Sequence, residues 1–145
     1  MPKENTLLVF PADTCCDIEQ SGALRKARCE TEVDLIAVEM LERDPVLAEI
    51  VRRLVEAYRP ECIYLFGSKA RGDAGPDSDY DVLLIVPDDA PPARRTSRLA
   101  YEALWGTGAA ADVLVWPRKR FDSRLHLKAS LPATVRREGK LLHAA

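Results

Sequence analysis

The chain is short of several features that would narrow its class at once. No apolar run approaches the ~20 residues needed for a membrane-spanning helix. The opening Met1-Pro2-Lys3-Glu4 lacks the basic stretch and apolar core of a secretory leader. Histidine occurs only twice, at His126 and His143, and neither stands at zinc-ligand spacing from a cysteine. The four cysteines, Cys15, Cys16, Cys29 and Cys62, form no C-x-x-C pair. Reduced thiols in a cytoplasmic protein are therefore expected, with a link or metal site joining Cys15 or Cys16 to Cys29 as the lesser alternative. An excess of charge is missing too. A net charge of −2 over 145 residues disfavours a dedicated nucleic-acid binder, which is usually clearly basic. There is no internal repeat and no low-complexity segment. What remains, 47% hydrophobic and 30% charged residues, suits an ordinary soluble globular protein with room for one domain.

Along the chain, the first part differs from the rest. Residues 1–43 read as a poorly defined N-terminal extension, with a candidate strand at Thr6–Phe10 and an amphipathic helix over Glu32–Leu41. Met40 is an alternative start of translation, in which case the upstream part is a mis-assigned extension. Residues 44–145 read as the functional domain. Asp44-Pro45 is an N-cap with proline at the first helical position. Val46, Leu47, Ile50, Val51, Leu54, Val55 and Tyr58 then recur at helical spacing until Arg59-Pro60 stops the helix. Cys62–Phe66 predicts a buried strand, and Asp81–Val86 a second one buried on both faces. A helix is expected over Ala93–Trp105, and a third strand over Ala111–Trp116. A helical region over Phe121–Arg137 should be split or kinked at Pro132. Gly139 is a candidate C-cap, and Leu141-Leu142-His143 a candidate last strand.

The chemistry concentrates in Gly67-Ser68-Lys69-Ala70-Arg71-Gly72 and in Ser78-Asp79-Tyr80-Asp81. Residues i and i+2 of a strand point to one side. Asp79 and Asp81 should therefore face one spot, with Tyr80 turned away. Two converging carboxylates repel unless a cation sits between them, and hard oxygen ligands suit Mg²⁺. A Gly67-Ser68 turn with free backbone N–H groups can hold phosphate. Asp112 starts the third apolar strand as Asp81 starts the second. If the two strands are neighbours, three carboxylates can hold two Mg²⁺ ions ~4 Å apart, the arrangement used for in-line displacement at phosphorus. Asp112 is then the candidate for taking the proton from an attacking hydroxyl. Arg71 either contacts phosphate or pairs with a site carboxylate or Asp73. A Walker-type phosphate loop is disfavoured, because Asp73-Ala74 follow Gly72 where Lys-Ser/Thr would be needed.

Gly67-Ser68, ten residues and then Asp79-x-Asp81 resembles the nucleotidyltransferase signature of the DNA polymerase β superfamily. The fuller run is similar to the minimal nucleotidyltransferases (MNT) that accompany HEPN-domain proteins. The ending Val135–His143 is similar as well, with His143 where a tyrosine often closes that motif. The resemblance spans Asp44 to His143. It implies an α+β fold, a small mixed β-sheet flanked by helices. It implies transfer of AMP from ATP, with Gly67 and Ser68 on the triphosphate and Asp79, Asp81 and Asp112 on metal. It also implies an antitoxin that modifies a tyrosine of a partner HEPN toxin.

Two other functions compete with this one. A docking-only antitoxin would have no need of the Asp79/Asp81/Asp112 set. A small-molecule nucleotidyltransferase of the aminoglycoside type would need a second domain or a dimer interface to build its acceptor pocket. The basic groups Arg94-Arg95-Arg98 and Arg118-Lys119-Arg120-Arg124 read as solvated faces, and Lys69, His126 and His143 as surface or packing residues. Trp105 and Trp116 are assigned to the core or its rim; exposure of either would mark an interface.

Overall fold

The computed structural model describes residues 35–145. The expected strand at Thr6–Phe10, the first turn of the helix at Glu32 and three of the cysteines lie outside them. In chain order the elements are α1 (Leu35–Arg43), α2 (Pro45–Tyr58), β1 (Cys62–Phe66), α3 (Gly67–Arg71), β2 (Tyr80–Val86), a 3₁₀ turn (Pro92–Arg95), α4 (Arg98–Ala103), β3 (Ala111–Pro117), α5 (Arg118–Asp122), α6 (Leu131–Glu138) and β4 (Lys140–Ala144). Among the described residues, no helix is long and apolar enough to cross a membrane.

The strands form one sheet in the order β3-β2-β1-β4. β1 pairs antiparallel with both β2 and β4, whereas β2 and β3 run parallel. This is the small mixed sheet flanked by helices expected of an α+β, polymerase-β-like nucleotidyltransferase fold. The strand alternation divides the core in two. Ile63, Leu65, Val82, Leu84 and Val113 face α2, whose Leu47, Ile50 and Leu54 carry the buried stripe. Tyr64, Leu83 and Ile85 face the other way, onto Phe121 of α5 and Val135 of α6. Val82 to Val86 are all fully buried, as the unbroken apolar run of β2 requires. α1 also packs on α2 and β4, and its Ala37 is fully buried.

Local rules explain most element ends. Asp44 Oδ1 accepts hydrogen bonds from the N–H groups of Val46 and Leu47, both at 3.1 Å, and so caps α2. Pro132 does not kink a long helix. It sits in the first turn of α6, where Ser130 Oγ accepts from the Ala133 N–H, so the expected helical region becomes two short helices separated by turns. The helix expected over Ala93–Trp105 is divided as well. Thr96 is extended (φ −116°, ψ 150°), and its carbonyl accepts the hydroxyl of the buried Tyr58 at 2.6 Å. A tertiary hydrogen bond thus outbids the local helix. Gly139 follows α6 for want of space rather than for its dihedral angles. A Cβ there would lie 2.5 Å from the Val135 carbonyl oxygen and 3.1 Å from that of Leu65. Of the four cysteines, Cys62 alone lies among the described residues, fully buried at the start of β1.

α2 ends at Arg59 as expected, but through a left-handed conformation (φ 47°, ψ 57°) rather than the extended one that a following proline favours. Relief of the ~1–2 kcal/mol left-handed penalty should outweigh the ~0.5–1 kcal/mol entropy that glycine loses on folding. Arg59→Gly is therefore expected to raise the urea unfolding midpoint, by roughly 0.5–1 kcal/mol in stability. A lowered midpoint would contradict the strain.

Candidate functional site

The site begins where β1 runs into Gly67. This residue has φ 73°, a region in which side chains are strained. It is also crowded, because a Cβ there would collide with Asp81 Oδ2 and lie 3.1 Å from Asp81 Cγ. The contact follows from the sheet, in which Phe66 is the antiparallel partner of Asp81. The Gly67-Ser68 turn and the second carboxylate of the D-x-D pair are thus in direct contact. A single left-handed turn then closes α3, and the Gly72 and Asp73 N–H groups both donate to the Ser68 carbonyl, at 3.0 and 3.1 Å.

The sheet makes β3 the neighbour of β2. The Tyr80 N–H donates to the Ala110 carbonyl at 2.9 Å and opens the parallel ladder, which pairs Asp81 directly with Asp112. Asp81 is half-buried, while Asp79 and Asp112 are exposed. The carboxyl pKa of Asp81 is raised, first by burial, then by the negative charges of Asp112 and Asp79, with Arg71 pulling the other way. Arg71 itself pairs with Asp73, Nε to Oδ2 at 3.3 Å, and both side chains are largely exposed. Among the described residues, no three His, Cys, Asp or Glu side chains stand close enough together to hold a metal ion. Asp81 and Asp112 are ladder partners. Asp79 precedes β2, outside the strand alternation expected of it, and acts on Asp81 through its charge. The three are not a finished cage.

Behind this face lies a second set of contacts that sequence spacing does not reveal. The Tyr80 hydroxyl donates to Asp44 Oδ2 at 2.7 Å, so one carboxylate both caps α2 and holds β2. Lys69 Nζ lies 4.2 Å from the centroid of the Tyr80 ring and is not simply a surface residue. Burial, and then the Asp44 hydrogen bond, pushes the Tyr80 phenol up to about 12, so it remains a donor at neutral pH. Asp44 is legible in the sequence as a cap, but nothing in the spacing announces a partner 36 residues away.

Other expectations are revised. Arg118 is not part of a solvated face; its side chain is 13% exposed and pairs with Glu61 at 2.7 Å. Arg120 and Arg124 lie over the half-buried Trp116 ring, at 4.4 and 5.6 Å from its centroid. Trp105, just past α4, is 85% exposed, not core or rim, and Tyr101 within α4 is 63% exposed. His126 is exposed, and His143 lies half-buried in β4, where burial lowers its pKa.

Residues 46–137, more than half the chain, match the nucleotidyltransferase domain family. No curated protein matches the sequence significantly. Among solved structures, a toxin–antitoxin with AMP-PNP is 24% identical, with 68% of this chain and 73% of that one covered and a TM-score of 0.48. A protein of Sulfolobus solfataricus assigned as a nucleotidyltransferase is 24% identical, over 72% of this chain and 84% of that one, with a TM-score of 0.46. A mutant of the toxin–antitoxin MntA–HpeT is 20% identical over 66% and 71% of the two chains, with a TM-score of 0.43.

A raised folded-state pKa means that the folded chain holds the Asp81 proton more tightly than the unfolded chain does. Ionisation of Asp81 therefore costs stability at neutral pH, and that cost vanishes as the pH falls below the ordinary carboxylate value of about 4. In chelator-treated protein, Asp81→Asn should melt above wild type at pH 7, with the difference closing towards pH 4 in a thermal melt series. A lower melting temperature for the variant at pH 7 would mean that the carboxylate is stabilised, not strained. Gly67→Ala should lower the melting temperature in the same melts, because a side chain is strained at φ 73° and its Cβ would push the Asp81 carboxylate aside.

Proposed function

Because the chain belongs to the nucleotidyltransferase domain family, we propose that it transfers AMP from ATP to a protein hydroxyl with the help of Mg²⁺. Asp79, Asp81 and Asp112 are the metal-binding and catalytic groups in this reading, and Gly67, Ser68 and Arg71 meet the triphosphate. The register that pairs Asp81 with Asp112, beside the crowded Gly67 turn, carries the reading. The donor set fits a hard divalent cation. It is all carboxylate, its members raise one another's affinity for positive charge, and the exposed Asp79 and Asp112 side chains can turn towards an ion.

Bound Mg²⁺, as two ions, would supply charge neutralisation on the triphosphate and a lowered pKa for the attacking hydroxyl. The chain does the rest by position. The Gly67-Ser68 turn presents backbone N–H groups to phosphate oxygens. Arg71, already within electrostatic reach of Asp81, can exchange Asp73 for a phosphate oxygen. The acceptor oxygen bonds to the α-phosphorus, the bond to the β-phosphate bridging oxygen breaks, pyrophosphate leaves, and the hydroxyl proton passes to Asp112.

For the acceptor we infer a tyrosine of a HEPN toxin that this protein silences in the cytoplasm. The inference rests on the likeness of Gly67–Gly72 and Ser78–Asp81 to the minimal nucleotidyltransferases. Exposed Trp105 and Tyr101 are in keeping with a protein partner, since such aromatics are enriched at interfaces. The same observation keeps the docking-only antitoxin as the second reading.

Intact-mass spectrometry of the protein encoded next to this one, after incubation with ATP and Mg²⁺, separates them. One or more added AMP units, absent with Asp81→Asn, are expected. A stable complex without any mass gain would favour docking alone. Neither complex nor gain would turn the search to small-molecule acceptors.

A further inference from the structure

Tyr80 stands between the two aspartates of the D-x-D pair and points away from them. We propose that it is a positioning residue: its hydrogen bond to Asp44, with Lys69 over its ring, sets the aim of Asp79 and Asp81 from behind the sheet. The inference rests on the metal–nucleotide reading of the site.

The geometry joins three elements. Asp44 Oδ1 holds the first turn of α2 through the Val46 and Leu47 N–H groups, while its Oδ2 accepts the Tyr80 hydroxyl at 2.7 Å. The carboxylate is therefore fixed from one side before it meets the phenol. Lys69 comes from α3, the same short helix that begins with Gly67 and Ser68, and puts its ammonium 4.2 Å from the ring centroid. Tyr80 is also the first residue of β2, tied by its N–H to the Ala110 carbonyl. A rotation of its backbone would move the residues on either side of it, Asp79 just before β2 and Asp81 within it.

Packing holds the ring on one side only, where the half-buried Tyr80 lies against the α2-side core. The ring borders a cavity of about 280 Å³, lined also by Met40, Asp44, Leu47, Leu65 and Lys69. On the cavity side no packing fixes the ring, and there the directional bond and the cation hold it. Groups hydrogen-bonded directly to metal ligands typically affect metal affinity by about 10–100-fold, and Tyr80, which acts through the backbone, belongs at the lower end of that range.

The test measures binding of Mn²⁺ with a non-hydrolysable ATP analogue by paramagnetic resonance and calorimetry, with melting curves alongside. Tyr80→Phe keeps the ring and loses the hydroxyl. Asp44→Ser keeps a good helix cap and is too short to reach Tyr80. Each variant should bind Mn²⁺ about tenfold more weakly. The double variant should be no weaker than either single one, because the two changes remove the same bond. Both should keep the wild-type far-UV spectrum. Binding within twofold of wild type in both, with binding lost in Asp81→Asn, would overturn the positioning role and leave the metal site standing. Additive losses in the double variant would equally overturn it. Equal Mn²⁺ binding by wild type and Asp81→Asn would instead overturn the metal reading, and this inference with it.

Discussion

The parallel pairing of β2 with β3 is the constraint on which the rest depends. Strand side chains alternate strictly, so a slip of one residue would carry Asp112 to the opposite face of the sheet, away from Asp81. The register is secured by burial rather than by the acidic residues. Val82 and Leu84 of β2, with Val113 and Val115 of β3, are all buried on the α2 side, and displacing them would cost far more than any carboxylate contact could return. The buried apolar residues of the two strands thus decide where Asp81 and Asp112 stand. The Gly67 turn follows from the same sheet, since β1 delivers it against Asp81 through the pairing of Phe66 with that residue.

Much of this was legible in the sequence wherever the signal was local. The cap at Asp44, the strand at Cys62–Phe66 and the two strands that open on aspartates all come from short patterns. The neighbouring of Asp81 and Asp112 could be stated only as a condition, because pairing is a tertiary fact. What could not be read are contacts between distant parts of the chain. Tyr58 drew the Thr96 carbonyl out of an expected helix, Glu61 took Arg118 out of an expected solvated face, and Asp44 reached Tyr80. Trp105 shows the opposite failure. Its size predicted burial, yet it lies just past α4, where the chain turns outward and nothing among the described residues covers it.

The site is also where the fold gives up stability. Burial and two like charges work against the ionised Asp81, and Gly67 holds a conformation that other residues tolerate poorly. Neither feature helps the chain to fold, and both bring groups together in a way that suits a polyanionic ligand with its counter-ions. Such concentrations of unfavourable terms are common at functional sites, where the ligand completes what the apo protein leaves unbalanced. On the opposite face, the hydrogen bonds around Tyr80 are satisfied and the geometry is ordinary. The strained side and the braced side share one strand, which is an economical way to hold repelling groups in place.

The order of strands has a further consequence. β3 is the outermost strand on its side, and among the described residues no strand pairs along its free edge. Asp112 therefore stands exposed at the margin of the sheet. In the nucleotidyl-transfer reading, an acceptor approaching that margin would keep its bulk beyond the last strand. Its size would then matter little, and the projection of its reactive group would matter most.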